Sequence, residues 1–271
     1  SNLLTGIIPA SLGNLSQLLY LYLNSNQLTG IIPASLGNLS QLLYLFLNSN
    51  QLTGTIPASL GNLSQLQVLS LSKNSLVGSL SDDVFKHMTQ LSVLDVSANQ
   101  FTGQISSVIF DSPRLQTFSA SVNCLSTVLP NSICQASNME NLLISGLQQS
   151  GNCASASSVY TYVTLPSCIW SLKALQQLYI SGNAYSGKME NVDLGNLTSL
   201  SVGYNRIRGV VPTFFNNQTM QVFDISKNMI TGSLYDINIL PNSSSSQYNA
   251  DVNRLSGPLS TSTIQQFSSV S

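Results

Sequence analysis

The sequence predicts an α/β repeat solenoid built on a parallel β-sheet. Asparagine, replaced once by leucine, recurs along nearly the whole 271-residue chain, and most of the spacings are 22 to 25 residues. A fixed period of this size is typical of a chain that winds into stacked turns. Apolar residues surround each recurrent position in a similar order. The recurrent positions, which we call the ladder, are Asn2, Asn26, Asn50, Asn74, Asn99, Asn123, Leu147, Asn183, Asn205, Asn228 and Asn253.

Each ladder position follows a short segment with the alternation of a β-strand. In one turn, Leu21 and Leu23 fall on the same face of the segment, whereas Tyr20, Tyr22 and Asn24 fall on the other. A single turn cannot bury its leucines, so the turns stack over a common core and the strands form a parallel sheet with neighbours roughly 4.8 Å apart. We expect the ladder amides to bond backbone groups of their own and the adjacent turn. That role is structural.

The repeat also resembles a known family. Residues 18 to 39 carry the pattern L-x-x-L-x-L-x-x-N-x-L, followed by L-T-G-x-I-P-x-x-L-G-N-L. This pattern resembles the leucine-rich-repeat (LRR) family, in the plant-type 24-residue form found in extracellular receptor ectodomains and cell-wall inhibitor proteins. The resemblance covers nearly the whole chain. It implies a right-handed horseshoe or superhelix with the parallel sheet on its concave face, located outside the cell or at its surface.

The period predicts one elongated domain over residues 1–271, with about ten repeats that start and end within a repeat. One spacing departs from the rest, because Leu147 and Asn183 are separated by one turn plus an insertion. The irregular segment covers about residues 148–164 and predicts a surface loop. Such a loop either carries specificity or is simply tolerated by the scaffold.

Composition excludes several classes of function. Only 7% of the residues are charged and the net charge is −1, so nucleic acid and anionic membranes, which need a basic surface, are not expected as partners. No apolar run is long enough for direct insertion into a membrane. His87 has no partner in sequence that would make it a general base, and no C-x-x-C pair indicates a metal site. We therefore expect no enzymatic activity, no metal and no cofactor.

The four cysteines, Cys124, Cys134, Cys153 and Cys168, surround the irregular segment. Disulfides are expected, which implies an oxidising compartment. Repeat phase favours Cys124–Cys153 together with Cys134–Cys168, because these pairs would link the turns on either side of the insertion. The alternative is Cys124–Cys134 within one turn and Cys153–Cys168 around the inserted loop.

Six N-x-S/T sequons predict N-glycosylation on the outer side of the turns. Three of them recur in the same phase within G-N-L-S, which is also the repeat consensus, and the alternative is that these three sequons are incidental. Glycans at neighbouring turns would be crowded. The acceptor asparagines are Asn14, Asn38, Asn62, Asn196, Asn217 and Asn242.

The exposed face of the predicted sheet supplies the candidate binding residues. Repeat phase places four aromatic side chains together at one end of the sheet, followed by a serine-rich stripe. Exposed aromatic rings suit contacts with proteins or sugars, although cross-strand aromatic pairs also stabilise a sheet by themselves. The candidate ligand-binding residues are Tyr20, Tyr22, Tyr44, Phe46, Asp95 and Tyr179.

Two functions fit these observations. The first is an extracellular LRR scaffold for recognition or adhesion, whose partner is a protein or a carbohydrate. The second is a structural glycoprotein of a fibre, wall layer or coat, whose partners are copies of itself or neighbouring chains. Ice binding through the regular Asn and Ser rows is a minor alternative, because the sequence shows no threonine lattice.

Overall fold

A computed structural model describes residues 3–148, 151, 153, 163–189, 195–211, 219–232, 240–241 and 247–256. The chain divides into two compact units. Unit 1 comprises Ser1–Asn138 and Gly146–Ser157, and unit 2 comprises Met139–Ser145 and Ser158–Ser271. Each unit is a stack of the predicted turns. The single domain over residues 1–271 stays a prediction.

In unit 1 the strands that precede the ladder positions form a parallel sheet, which we call sheet I. Tyr20, Tyr44 and Val68 are paired in register, so equivalent residues of successive turns lie side by side. The middle residue of each strand points into the core, and its two neighbours face outward. The strands are Tyr20–Tyr22, Tyr44–Phe46, Val68–Ser70, Val93–Asp95 and Thr117–Ser119.

A second parallel sheet, sheet II, follows the ladder positions. It is built from the L-T-G segments, and the sequence analysis did not predict it. The glycine of each segment adopts a positive φ, such as 78° at Gly30, which side chains rarely tolerate. In unit 1 its strands are Thr5–Ile7, Gln27–Ile31, Gln51–Gly54, Ser75–Leu80, Gln100–Ile105 and Cys124–Leu125.

Unit 2 repeats both sheets. Its strands of sheet I are Asn141–Leu143, Gln177–Tyr179, Ser199–Ser201, Val222–Asp224 and Gln247–Asn249. Its strands of sheet II are Val163–Thr164, Tyr185–Lys188, Arg206–Val210, Met229–Gly232 and Arg254–Leu255. A separate pair joins Thr219–Met220 to Leu240–Pro241. All these strand pairs are parallel.

The outer side of the turns is helical, mostly in short 3₁₀ segments. Proline stands at the N-cap of several of them, where its fixed φ suits a helix start; Pro33, for example, has φ −66°. Within the described residues one α-helix occurs, Asp82–Phe85, and Asp83 forms an ion pair with Lys86. The 3₁₀ helices are Ala10–Asn14, Ala34–Asn38, Ala58–Asn62, Ser107–Asp111, Asn131–Gln135 and Ser167–Ser171.

The 3₁₀ segments of the first turns pack so closely that glycine is required. A Cβ added at Gly37 would lie 2.2 Å from the carbonyl oxygen of Ser59 in the next turn. Gly13 makes the same approach to Ser35. The G-N-L-S consensus therefore has a structural reason beyond its sequons.

The ladder asparagines form hydrogen bonds with backbone groups of their own turn and of the preceding turn. The Asn50 Nδ2 donates to the carbonyls of Leu23 and Leu47, at 2.9 and 3.1 Å. Its Oδ1 accepts from the backbone nitrogen of Leu28 at 3.0 Å. The same set recurs at Asn99, which is only 3% exposed. Because buried polar backbone groups need partners, one side chain connects two turns and fixes their spacing.

Leu147 is the exception at a ladder position, and its backbone takes over part of the missing role. The Leu147 carbonyl accepts from the backbone nitrogen of Leu125 at 2.8 Å. In a regular turn that nitrogen would bond the Oδ1 of an asparagine, as Phe101 does with Asn123. The fully buried leucine side chain then packs where the amide would lie.

Replacing a buried ladder asparagine by leucine should destabilise the fold. In Asn99→Leu the backbone nitrogen of Leu76 and the carbonyl of Leu71 lose their amide partner. We expect the free energy of unfolding to fall by about 3 kcal/mol, measured by chemical denaturation. The exposed Asn131→Leu is the control and should change it little. Equal effects of the two substitutions would contradict the structural role of the ladder.

The close packing of the 3₁₀ segments gives a second test. Gly37→Ala forces a Cβ against the Ser59 carbonyl and should destabilise the chain by about 1 to 3 kcal/mol. Gly151→Ala is the matched control, because no atom lies within 4 Å of the added Cβ. Thermal melts of both variants measure the difference. A Gly37→Ala protein as stable as Gly151→Ala would contradict this packing.

Candidate functional site

Sheet I brings four of the predicted site residues together. We call Tyr20, Tyr22, Tyr44 and Phe46 the aromatic cluster. The ring centroids of Tyr20 and Tyr44 are 5.1 Å apart, and those of Tyr22 and Phe46 are 5.2 Å apart. Cross-strand register produces both pairs, because each residue lies beside its equivalent in the next turn. The cluster is therefore a continuous aromatic surface across two strands.

The cluster is accessible as well as ordered. Tyr20 is 46% and Tyr22 57% exposed, while Tyr44 and Phe46 are half-buried beside them. Within the described residues no hydrogen bond occupies the tyrosine hydroxyls. The surface thus combines flat apolar area with unoccupied polar groups, the combination that favours rigid contact with a partner.

Asp95 lies on the same face of sheet I, two strands beyond Phe46, in the row that passes through Ser70. Its Oδ1 accepts from both the backbone nitrogen and the hydroxyl of Ser97, at 3.1 and 2.6 Å. These bonds fix the carboxylate, and among the described residues its Oδ2 has no hydrogen-bond partner. Asp95 can therefore accept an N–H or O–H from a ligand on this face.

Tyr179, the sixth predicted residue, is half-buried in unit 2. It pairs in register with Ser201, which lies beside Asp224 on the next strand. The Ser201 hydroxyl donates to Asp224 Oδ2 at 3.3 Å, and the backbone nitrogen of Ser226 donates to its Oδ1 at 3.0 Å. Unit 2 therefore has a polar site of its own.

Sequence reasoning did not select Asp224 as a site residue. The signal was available, because Asp224-Ile225-Ser226 repeats the D-x-S pattern of Asp95-Val96-Ser97. In both places the residue two positions after the aspartate donates a backbone N–H to the carboxylate. The pattern predicts a carboxylate held in place on the exposed face of sheet I.

The cysteines are all oxidised. Cys124 pairs with Cys153, which is the pairing that repeat phase favours, and the Cα atoms are 5.3 Å apart. This bond rules out the alternative Cys124–Cys134. Cys134 and Cys168 are disulfide-bonded as well. Most of the irregular segment at 148–164 lies outside the described residues.

The sequons within the described residues are accessible. Asn14, Asn38 and Asn62 are exposed, and each ends a 3₁₀ helix. Asn196 is exposed too, although its amide donates to the Lys173 carbonyl at 2.9 Å. The remaining sequons, Asn217 and Asn242, lie outside the described residues. Occupancy of all six sites stays a prediction.

The exposed face of sheet II carries a row of threonines. Thr29, Thr53 and Thr102 are exposed, and they occupy equivalent positions of the L-T-G segments and their relatives. Val77 interrupts this single row. The expectation that the chain has no threonine lattice stays a prediction.

Two buried hydroxyls in unit 2, those of Tyr185 and Ser226, have no hydrogen-bond partner among the described residues. Tyr185 is fully buried in a core position that other turns fill with leucine or isoleucine, such as Ile207. Burial raises the pKa of Tyr185 above that of an exposed tyrosine. At the surface, a hydrogen bond with Tyr204 raises the pKa of Lys227.

Within the described residues no group of three or more His, Cys, Asp or Glu side chains could hold a metal ion. No helix among those residues has the length and apolar character that crossing a bilayer requires.

Family models match the repeats. Leucine-rich-repeat models match residues 1–52, 45–101 and 196–218. Together with the turn geometry above, these matches identify the repeats. They are leucine-rich repeats. No curated protein sequence matches this LRR chain.

Solved LRR structures share the fold. The ectodomain of the Arabidopsis receptor kinase HAESA, in complex with an N-terminally extended IDA peptide hormone ligand, is 28% identical with a TM-score of 0.79. The match covers 95% of this chain but 41% of that one. A plant ice-binding protein is 24% identical with a TM-score of 0.74, over 93% of this chain and 78% of that one. That second likeness shows the fold alone.

Removing the hydroxyl should change the free energy of unfolding in opposite directions at two buried tyrosines of unit 2. Tyr185→Phe removes an unsatisfied buried group and should raise the free energy of unfolding by about 1 kcal/mol. Tyr248→Phe removes a bond to the Met220 carbonyl, 3.2 Å long, and should lower it by a similar amount. Chemical denaturation of both variants measures the two signs. Destabilisation by Tyr185→Phe would show that its hydroxyl has a partner.

Proposed function

We propose that this LRR chain is an extracellular recognition module that binds an extended peptide segment across sheet I. The aromatic cluster is the observation that carries the proposal. It places four rings on one accessible surface, formed by adjacent strands whose positions the ladder fixes. The module is non-catalytic and works by presenting this surface.

The chemistry of the face favours a peptide. Rings with unoccupied hydroxyls can contact apolar side chains and also bond main-chain groups. Asp95 supplies a fixed acceptor in the same row as Tyr22 and Phe46. Adjacent strands are 4.7 to 4.9 Å apart, so the distance from the cluster to Asp95 is on the order of 10 Å. A short extended peptide can span it.

The electrostatics around the aromatic cluster are consistent with a ligand that is not strongly charged. No charged side chain occurs before Lys73, so the aromatic cluster lies in turns without any ionisable acid or base other than tyrosine. Binding at the cluster would depend on ring contacts and neutral hydrogen bonds, and Asp95 would be the charged group of the proposed site. We therefore expect weak dependence on salt concentration.

Similarity supports the same class of partner. The HAESA ectodomain, 28% identical to this chain, is bound to a peptide hormone. This chain spans about two-fifths of the length of that ectodomain. The disulfides further support passage through an oxidising, secretory compartment.

Substitution within the cluster tests the proposal. The purified chain is panned against a random-sequence peptide library, and an enriched peptide is measured by calorimetry. Tyr22→Ser combined with Phe46→Ser should weaken its binding by at least about 2 kcal/mol, because central aromatic contacts dominate such surfaces. The control is Tyr204→Ser, whose tyrosine is 58% exposed, close to the 57% of Tyr22, but lies in unit 2. Thermal melts confirm that all variants fold.

Peptide affinity that survives the double substitution would refute the cluster as the site. Enrichment of oligosaccharides, but of no peptide, in a parallel array would assign the face to carbohydrate recognition.

A second candidate is a structural subunit that assembles through its repeats. The charge-free turns before Lys73 favour it, because like-charge repulsion would not oppose contacts between copies. Light scattering of the purified chain tests it over a range of concentrations. A monomer throughout would exclude assembly through these turns.

A further inference from the structure

The exposed face of sheet II in the first turns is rich in β-branched side chains. Alternate residues of each strand point outward, and most of these positions hold threonine, isoleucine or valine; glutamine or serine holds the others, at Gln27, Gln51, Ser75 and Ser79. Ile7 is 68% and Ile31 63% exposed. We call this surface the β-branched face. Its residues are Thr5, Ile7, Thr29, Ile31, Thr53, Thr55 and Val77, and all are exposed.

Hydrogen bonds fix two of the four threonines of this face. The Thr29 hydroxyl donates to the Gly6 carbonyl of the preceding turn, and the Thr53 hydroxyl donates to the Gly30 carbonyl, both at 3.3 Å. Because the donor hydrogen is used within the protein, the oxygen lone pairs and the methyl group remain available on the outside. Thr29 and Thr53 therefore present the same groups in the same orientation.

Glycines fix the other members of the face. The Ile7 Cγ2 lies 2.9 Å from the position that a Cβ would take at Gly30, and the Ile31 Cγ2 makes the same approach at Gly54. Each methyl group therefore occupies space that only glycine leaves open. β-Branched side chains are already stiff about χ1, so this contact leaves little rotational freedom. The face is rigid at the level of individual methyl groups.

The spacing of the face follows from strand geometry. Outward residues of one strand are about 6.7 Å apart, and adjacent strands are about 4.8 Å apart. Ile7 pairs with Thr29, and Ile31 with Thr53, whereas Thr29 in turn pairs with Gln51. The outward groups therefore repeat regularly in two directions, along the strands and across them.

From this geometry we propose that the β-branched face binds ice. Fixed methyl groups order the adjacent water, and fixed hydroxyl oxygens accept hydrogen bonds from it in a regular two-dimensional array. The face has no charged side chain, which would hold its own hydration shell, and no charge occurs in the sequence before Lys73. Its residues include no aromatic ring, whereas flat aromatic surfaces are what carbohydrate contacts use. This activity is independent of the peptide site on sheet I.

A charged side chain on the β-branched face should abolish the activity. The whole chain, produced in a secretory host, is assayed for inhibition of ice recrystallisation and, with a fluorescent label, for adsorption to a single ice crystal. Thr29→Lys and Thr53→Lys should each raise the inhibiting concentration many-fold and remove adsorption. Thr89→Lys is the matched control, because Thr89 is exposed but lies outside the face. It should behave as the unmodified chain does.

Two further variants separate the β-branched face from the aromatic cluster. Val77→Thr keeps the branched shape and adds a hydroxyl, so it should lower the inhibiting concentration. Tyr22→Ser with Phe46→Ser should leave ice adsorption unchanged even where it removes peptide binding. These variants therefore show whether the ice-binding proposal fails, whether the peptide-binding proposal fails, or whether both do.

Three results would overturn the inference. The first is an unmodified chain that neither adsorbs to ice nor inhibits recrystallisation. The second is equal activity of Thr53→Lys and Thr89→Lys in a folded state. The third is an oligomer, seen by light scattering, that Thr53→Lys dissociates, which would make the face an interface between copies.

Discussion

The constraint on which the structure depends is the hydrogen-bonding capacity of the backbone where successive turns meet. Each turn leaves carbonyl and N–H groups near the core that water cannot reach. One asparagine per turn satisfies them, as Asn99 does with bonds to its own turn and to the preceding one. Because unpaired buried groups are costly, the spacing between turns follows from the reach of one amide side chain.

The same constraint imposes strain beside the ladder. The residue before each described ladder position has a positive φ, and this holds even at Val122 and Val252, whose branched side chains disfavour that conformation. Neighbouring backbone bonds maintain it; the nitrogen of Asn99, for example, donates to the carbonyl of Val122. Backbone hydrogen bonds between turns thus outweigh the preference of branched residues for a negative φ. The side chain at such a position points outward and is free to vary.

An element of the fold could be predicted from the sequence only where it leaves a recognisable residue pattern. The ladder predicted sheet I and its register, including the pairing of Tyr20 with Tyr44 and of Tyr22 with Phe46. Sheet II was not predicted, because its strands are interrupted by glycines at positive φ, which on their own indicate turns. Three-dimensional contact explains those glycines: Gly30 leaves room for the Ile7 methyl group.

Other features could not follow from sequence because they depend on the backbone alone. Leu147 shows this most directly, since its carbonyl bonds Leu125 in place of an asparagine side chain. The sequence shows that the asparagine amide is missing at Leu147, but it does not show that the Leu147 carbonyl accepts the hydrogen bond instead. The D-x-S pattern at Asp224 differs, because the sequence itself shows it, and the structure adds that the Ser226 nitrogen donates to the carboxylate.

A single period therefore supports two surfaces with different chemistry. Aromatic rings pair across sheet I, as in Tyr22 and Phe46, because side chains there stand beside their equivalents in the next turn. On sheet II the register instead sets isoleucine beside threonine, and glycine keeps the backbones close. Both surfaces take their precision from the ladder, but they share no side chain. Selection can alter one surface without disturbing the other, provided that the buried amide of each turn is kept.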